Sequence, residues 1–302
     1  MTHDRPSRGL LWVAAGASLW GVDTILRRPL TGSLSSAQIV LLEHLILSAV
    51  LLPVCWRSRR ECRGLGARGW AALLGIAWGG SALATVCFTQ AVKIGHPTGA
   101  VFVQKTQPLF AAVLARRLLG ESLDRRFWIC LALALLGAYL VSFGDRLDPA
   151  AWKPSRAAAA MLALAAAALW GSSTVLGRFL LGRLSFTALT AWRIVVATPF
   201  LLGLAWAGPR LPALESAQVR NLALMALVPG LAALLIYYRG LERTRASLAA
   251  VAELSFPAVA ALLNWIFLDA SVSMLQLAGF ALLWTVILNL ERRPAPERIY
   301  AQ

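Results

Sequence analysis

Ionisable side chains stand in the middle of several long apolar stretches of this sequence. Glu43 and His44 are adjacent in IVLLEHLIL, while Lys105 lies in VFVQKTQP and Glu253 in VAELSFP. A charge at the depth of a bilayer core costs roughly 2.5–3.5 kcal/mol on insertion scales, so residues of this kind usually line a polar path or tie helices together. The chemistry open to this set is proton uptake and release, or the binding of a charged solute.

Glu43 and His44 are candidates for a proton-coupling site, because a carboxyl group and an imidazole can each take up and release a proton. The alternative is a structural role, in which Glu43 pairs with a basic partner or hydrogen-bonds between helices. Arg193 lies 150 residues after Glu43, also inside an apolar stretch. A guanidinium does not discharge, so Arg193 is expected to be a structural charge with a permanent partner.

The run QKTQ (residues 104–107) before Pro108 is too polar to face lipid and predicts the wall of a wet cavity. Phe102, Lys105 and Pro108 share a face at helical spacing, with Gln104 on an adjacent face. Lys105 and Glu253 together would hold the carboxylate and ammonium of a zwitterion, or would neutralise each other in the empty protein. Both interpretations place these residues at the solute path.

Two tryptophans recur at equivalent positions, Trp20 and Trp170, which favours helix packing or cavity lining. Asp23 shares the face of Trp20, and solvation near the outer membrane surface is its alternative. Tyr238 closes an apolar stretch, where an interfacial aromatic belt is the alternative. The predicted substrate-binding residues are Trp20, Asp23, Phe102, Gln104, Lys105, Trp170, Tyr238 and Glu253.

Long apolar segments must position these residues. Of the 302 residues, 59% are hydrophobic and 14% are charged, where soluble domains carry about 25% charged residues. Stretches of about 20 apolar residues span a bilayer as helices. The sequence therefore predicts an all-α membrane protein, with the eighth span interrupted at Pro229. The ten predicted transmembrane helices are 9–28, 37–56, 69–91, 97–118, 127–144, 157–180, 186–207, 220–238, 246–268 and 273–290.

Lysine and arginine are distributed unevenly between the connections. With the N-terminus inside, 19 of the 29 basic residues fall in inner segments and 8 in outer ones, Arg27 among the latter. This bias predicts that both termini are cytoplasmic in a multi-pass protein of the cell inner membrane. The net charge of +15 is thereby explained by topology, and no nucleic-acid partner is expected.

The two halves of the chain are related in sequence. Residues 17–30 and 167–180 are identical at eight of fourteen positions, and 88–95 parallels 237–244 at an offset of 149, which also relates Pro108 to Pro257. Each copy holds five spans, an odd number, so the second copy must be inverted in the membrane. The expected repeats are 1–148 and 149–302, joined by the linker 145–156.

Several short motifs carry a family resemblance: Trp20-Gly21, Trp170-Gly171, the PLFAA run from Pro108 and the LLGESL run that contains Glu121. Their order resembles the EamA-type transporters of the drug/metabolite transporter superfamily over essentially the whole chain. The resemblance implies ten transmembrane helices in two inverted five-helix repeats, and carriage of small metabolites through a central cavity. Leu268-Asp269-Ala270 departs from the pattern of the first copy, and Glu121 is expected to be structural.

These features predict a secondary transporter that works by alternating access. Export of amino acids, amines or drugs is the first expectation, and uptake of a vitamin or nucleoside is the alternative. A channel and a membrane-embedded enzyme are weaker interpretations, since His3, His44 and His96 are dispersed and no nucleotide-binding loop occurs. The expected partners are a small-molecule substrate, the lipid bilayer and protons as coupling ion, with no cofactor, in a monomer or homodimer.

Overall fold

The computed structural model describes residues 8–94, 97–143, 157–267 and 273–292, apart from the side chains at 24, 97–99, 102, 143, 260, 264, 265, 267 and 292. The described chain is helical throughout. In order, the spans are α1 (Gly9–Leu30), α2 (Ser36–Arg57), α3 (Gly66–Ile94), α4 (Pro97–Gln104 and then Gln107–Leu118), α5 (Arg125–Phe143), α6 (Ala157–Leu180), α7 (Phe186–Trp206), α8 (Ser216–Leu241), α9 (Ala246–Ala252 and Phe256–Phe267, joined by the 3₁₀ turn Glu253–Ser255) and α10 (Met274–Arg292).

Nine stretches of the described residues are long and apolar enough to cross a membrane. The one predicted span that is not among these nine, 97–118, is present as the two short helices of α4, which are separated at Lys105 and Thr106. Pro108 lacks a backbone N–H and cannot donate to the carbonyl of Gln104, which accounts for a break at this place. The repeat-related Pro257 follows the 3₁₀ turn of α9, so both helices change geometry at the same point.

The contacts between the two halves occur in repeat-related pairs. Helix α1 packs on α8 as α6 packs on α3, and α1 packs on α9 as α6 packs on α4. Helices α2 and α7, which are equivalent to each other, pack together, as do α5 and α10. Ser48 and Thr198, 150 residues apart, share a hydrogen bond of 2.8 Å between their hydroxyls. A pseudo-twofold axis therefore passes between α2 and α7, as an inverted repeat requires.

The eighth span differs from its prediction because Pro229 does not interrupt it. Residues Ala226–Ala232 form a π-helical stretch inside the continuous span α8. The wider π turn accommodates a residue that cannot take its place in the regular hydrogen-bond ladder. Helix α3 holds an equivalent π-helical stretch, Gly75–Leu83, so this feature too belongs to both repeats.

Short polar caps fix where the spans begin. Ser35 and Gln38 form a reciprocal capping box at the start of α2. The carboxylate of Glu121 accepts hydrogen bonds of 2.7 and 3.0 Å from the backbone N–H groups of Ala246 and Ser247, which open α9. Glu121 thus satisfies donors that a helix start leaves free, a structural arrangement. The departing motif Leu268-Asp269-Ala270 and the linker 145–156 lie outside the described residues.

Candidate functional site

A central cavity of about 240 Å³ lies between the two halves. Side chains from both repeats line it, contributed by α1, α2, α3, α4, α6, α7, α8 and α9. The breaks in α4 and α9 and the π-helical stretches of α3 and α8 all reach this space. Irregular backbone at membrane depth is found where it lines a cavity. The geometry places the polar residues of the apolar segments around one solute-sized space.

Two aromatic pairs line the cavity at repeat-related positions. The rings of Trp20 and Tyr237 have centroids 5.2 Å apart, and those of Phe88 and Trp170 are 5.3 Å apart. Trp20 corresponds to Trp170 at the offset of 150, and Phe88 to Tyr237 at 149. Each half therefore supplies one tryptophan and one phenyl or phenol ring, and the cavity is flanked by aromatic surface on both sides of the pseudo-twofold axis.

A three-residue charge cluster joins α1 to α2. The guanidinium of Arg27 donates to both oxygens of Asp23, at 2.6 and 2.8 Å, and to Glu43 Oε2 at 3.2 Å. The side chains of Arg27 and Glu43 are only 14% and 11% exposed. One cation thus serves two carboxylates, and the cluster carries a formal charge of −1 on the wall of the cavity.

The repeat counterpart of Glu43 is held in a different way. Arg193 on α7 donates to the Tyr238 hydroxyl, and its Nε lies 2.8 Å from the hydroxyl of Ser81. No carboxylate pairs with it among the ion pairs of the described residues. His44, beside Glu43, places Nδ1 2.9 Å from the carbonyl of Val40, and the positive charges of Arg193 and Arg27 act on it electrostatically.

Glu253 is held by hydrogen bonds from three helices. Its carboxylate accepts from the Tyr237 hydroxyl at 2.7 Å, from the Thr174 hydroxyl at 2.8 Å and from the amide of Gln107. Gln107 in turn accepts at Oε1 a hydrogen bond of 3.0 Å from Gln104 Nε2. These donors satisfy the carboxylate without a cation, and they connect α4, α6, α8 and α9 around one side of the cavity.

Several buried polar atoms on cavity-lining residues have no hydrogen-bond partner among the described residues. They are Arg27 Nη1, His44 Nε2, Gln104 Oε1 and Ser173 Oγ. A buried polar group without a partner costs about 1–3 kcal/mol, so such groups are rare unless a ligand or water completes them. Both donors and acceptors are included, which suits a solute rich in hydrogen-bonding groups.

The cavity brings together most of the residues expected from the sequence. Trp20, Asp23, Gln104, Trp170, Tyr238 and Glu253 line it, as do Glu43, His44 and Arg193. Tyr238 is fully buried within the cavity wall, which removes the interfacial-belt alternative. The side chain of Phe102 lies outside the described residues.

Lys105 differs from its expected placement. It does not line the cavity, and its buried ammonium has no hydrogen-bond partner among the described residues, lying 4.9 Å from the ring centroid of Phe256. The break in α4 falls at Lys105, so the helical spacing that put it on one face with Pro108 does not continue through this point. Its assignment to substrate binding stays a prediction.

Arg27 was expected in an outer connection, and this placement is wrong. The span α1 continues to Leu30, so Arg27 lies inside the helix and its charge is used by Asp23 and Glu43. The sequence reasoning also missed Phe88, Thr174 and Ser173. The offset of 150 residues would have found Ser173, because it maps Asp23 onto this residue, whereas Phe88 and Thr174 map onto Tyr237 and Thr24, which were not predicted site residues.

Comparison with known proteins gives a consistent result. The model of the EamA-like transporter family matches residues 7–143 and again 157–289. A riboflavin transporter ImpX of Fusobacterium nucleatum is 29% identical over 297 residues, which are 96% of this chain and 99% of that protein. A riboflavin transporter of Rhizobium johnstonii is 28% identical over 267 residues, covering 84% of this chain and 78% of that protein.

Two further similarities carry less functional information. The uncharacterized transporter YwfM of Bacillus subtilis is 24% identical over 300 residues, 95% of each chain. One crystal structure, described only as that of a protein, matches with a TM-score of 0.75 at 20% identity and covers 96% of this chain and all of its own. At that identity the match supports the fold alone.

Proposed function

Because this chain belongs to the EamA-like transporter family, and is thus a transporter and not an enzyme, we propose that its substrate is riboflavin or a close flavin analogue. The direction that we propose is uptake, which corresponds to the vitamin-permease alternative. The relatives named as riboflavin transporters support this substrate, since both are aligned with this chain over more than three quarters of their lengths.

The observation that carries the proposal is the pair of aromatic walls. Riboflavin is a flat tricyclic ring system with a polar, uracil-like edge and a polyhydroxylated ribityl chain. Flat rings are held by offset-stacked or edge-to-face contacts with aromatic side chains. Trp20 with Tyr237 and Phe88 with Trp170 supply such surfaces, and each pair combines one ring from each repeat. The unpartnered polar atoms on the same walls match the hydrogen-bonding edge and the hydroxyl chain.

Alternating access follows from the same arrangement. The substrate lies between two inverted halves, and rocking of one half against the other opens the cavity first to one side and then to the other. The two aromatic pairs are equivalent by the repeat, so each half keeps one aromatic contact with the ring system in both conformations. We place both termini in the cytoplasm of a bacterial inner membrane, on the basis of the bias in basic residues.

Direct binding is the test. Flavin fluorescence falls when the ring stacks on tryptophan, so riboflavin titrated with purified protein in detergent should show saturable quenching. Trp170→Leu should weaken this binding by about tenfold, since a lost stacking contact is worth roughly 1 kcal/mol or more. Trp206→Leu is the matched control, because Trp206 is 92% exposed at the end of α7 and lies outside the cavity.

Transport is measured in proteoliposomes loaded with a riboflavin-binding protein as a trap. Saturable accumulation of labelled riboflavin supports the proposal. If no flavin binds, and amino acids or amines shift the melting temperature of the purified protein, the export alternative replaces it. That alternative would draw on Glu253 and on the buried cation Lys105.

We further propose that protons are the coupling ion, with Glu43 and His44 as the site. Glu43 accepts a hydrogen bond from Arg27 of α1, the charge of Asp23 acts on it as well, and the charges of Arg27 and Arg193 act on His44. An imposed pH gradient should drive riboflavin accumulation in the wild type. In Glu43→Gln, binding should persist while the gradient no longer drives uptake. Unchanged drive in that variant would refute the coupling role.

A further inference from the structure

Neighbouring side chains determine how the buried amide of Gln104 is oriented, that is, where its nitrogen and its oxygen lie. Gln104 is 7% exposed and lines the cavity. Its Nε2 donates to Gln107 Oε1 at 3.0 Å, and its own Oε1 has no partner among the described residues. Since the nitrogen is used, the part of this side chain left for a ligand is a carbonyl oxygen, which only accepts.

The reason for this orientation lies three residues further on. A carboxylate only accepts hydrogen bonds, so Gln107 must turn its nitrogen to Glu253, and its oxygen is left for Gln104. Glu253 is itself kept in place by the hydroxyls of Tyr237 and Thr174. Glu253 therefore fixes the orientation of the Gln107 amide, and Gln107 in turn fixes the orientation of the Gln104 amide.

We infer that Gln104 is a specificity-determining residue that accepts a hydrogen bond from an N–H group of the substrate, with Gln107 and Glu253 as positioning residues. The inference rests on the proposed function. In riboflavin the matching group is the imide N–H, which lies between two carbonyls on the polar edge of the ring system. A ring that carries no hydrogen at this nitrogen leaves the carbonyl of Gln104 buried and unpaired.

N3-methylriboflavin is the probe, because it keeps the ring system and the ribityl chain and lacks the imide N–H. Fluorescence titration of the purified wild type should give about tenfold weaker binding of the methylated compound than of riboflavin, the usual consequence of a buried acceptor without a donor. In Gln104→Met the two ligands should bind with affinities within about twofold of each other, since neither the acceptor nor its penalty is present.

Two further variants separate contact from positioning. Gln107→Met frees the Gln104 amide to rotate. The ratio of the affinity for riboflavin to the affinity for N3-methylriboflavin should therefore fall by a larger factor than the affinity for riboflavin itself. A residue that only supports the fold would change both affinities equally. Gln90→Met, the same substitution in α3 at a residue outside the cavity lining, should keep the full preference.

The outcomes are distinct. Equal binding of the two ligands by the wild type overturns this inference and leaves the proposed function standing. If Gln104→Met keeps the full preference for riboflavin over N3-methylriboflavin, another group accepts the hydrogen bond from the imide N–H, and the inference is overturned as well. Absence of any riboflavin binding by the wild type overturns both. Because the first comparison uses the wild type alone, the test does not depend on the folding of a variant.

Discussion

The same scaffold positions carry different chemistry in the two halves of the cavity. Asp23, Arg27 and Glu43 form an ion-paired cluster in the first half. At the offset of 150 residues their counterparts are Ser173, Gly177 and Arg193. At these three positions the first half thus carries three formal charges and the second half carries one, although the helices that hold them are equivalent.

The difference has a structural reason at Gly177. A Cβ atom at this residue would lie 3.0 Å from the ring of Tyr238, so the phenol occupies the space that the Arg27 side chain takes in the first half. Tyr238 then accepts the hydrogen bond of Arg193, and an uncharged hydroxyl replaces a carboxylate. Helix packing thus follows the repeat, while the charges do not.

The largest effect is expected from Arg27→Met, which leaves two carboxylates of the first half unpaired. Removing one partner of a buried ion pair is strongly destabilising, so the free energy of unfolding should fall by about 3 kcal/mol. Thermal unfolding in detergent measures it. Arg28→Met is the control, because Arg28 is exposed next to it in the chain. Adding Glu43→Gln should restore part of the loss, and failure to do so would argue against the charge cluster as its cause.

A second comparison concerns two glycines that line the cavity, Gly80 in α3 and Gly230 in α8. A Cβ at Gly80 would lie 2.6 Å from Ser173 Cβ, whereas one at Gly230 would meet Leu47 and Glu43 at 3.1 and 3.3 Å. Gly80→Ala should therefore cost about 2 kcal/mol by overpacking, and Gly230→Ala clearly less. Gly203→Ala is the matched control, since no atom lies within 4 Å of its added Cβ. Equal melting temperatures for the two cavity variants would contradict the difference.

The sequence was sufficient to predict the scaffold, because length, hydrophobicity and an internal offset are properties of the chain alone. It also predicted that Gln104 and Glu253 would lie at matching depths beside a wet cavity, since an ionisable or amide group inside a membrane span usually lines a polar path or ties helices together. Confirmation of the ten-helix repeat fold comes from the packing of α1 on α8 and of α6 on α3.

The rest depends on tertiary contacts. Arg27 stands in the sequence RRPL, which has the composition of a helix end, and its ion pairs with Asp23 and Glu43 could not be predicted from that pattern. Lys105 lies at the break in α4 ahead of Pro108, so helical spacing does not carry its face through to Pro108, and its role in substrate binding stays a prediction. The sequence pattern thus indicates which residues lie within a membrane span, whereas the neighbouring side chains determine where each of these residues points.

A smaller effect is expected when the two tyrosines of the cavity are compared. Tyr238→Phe leaves Arg193 with Ser81 as its hydrogen-bond partner and should cost about 2 kcal/mol, as for a hydrogen bond to a charged group. Tyr237→Phe should cost about 1 kcal/mol, because Glu253 keeps Thr174 and Gln107 as donors. Unfolding of the two variants under the same detergent conditions measures the difference, and the reverse order would contradict the assigned partners.

The smallest effect is expected on the pseudo-twofold axis itself, where the halves are most alike. Thr198 donates to the carbonyl of Ile194 at 3.0 Å, so Ser48 is the donor in the bond between the two hydroxyls. A double-mutant cycle with Ser48→Ala and Thr198→Val should give a coupling free energy of about 1 kcal/mol. In the alternating-access motion that we propose, residues on the pseudo-twofold axis keep their mutual positions when the halves exchange conformations. The coupling should therefore be the same with and without bound riboflavin, and a coupling that vanishes on binding would place the pivot of the rocking motion elsewhere.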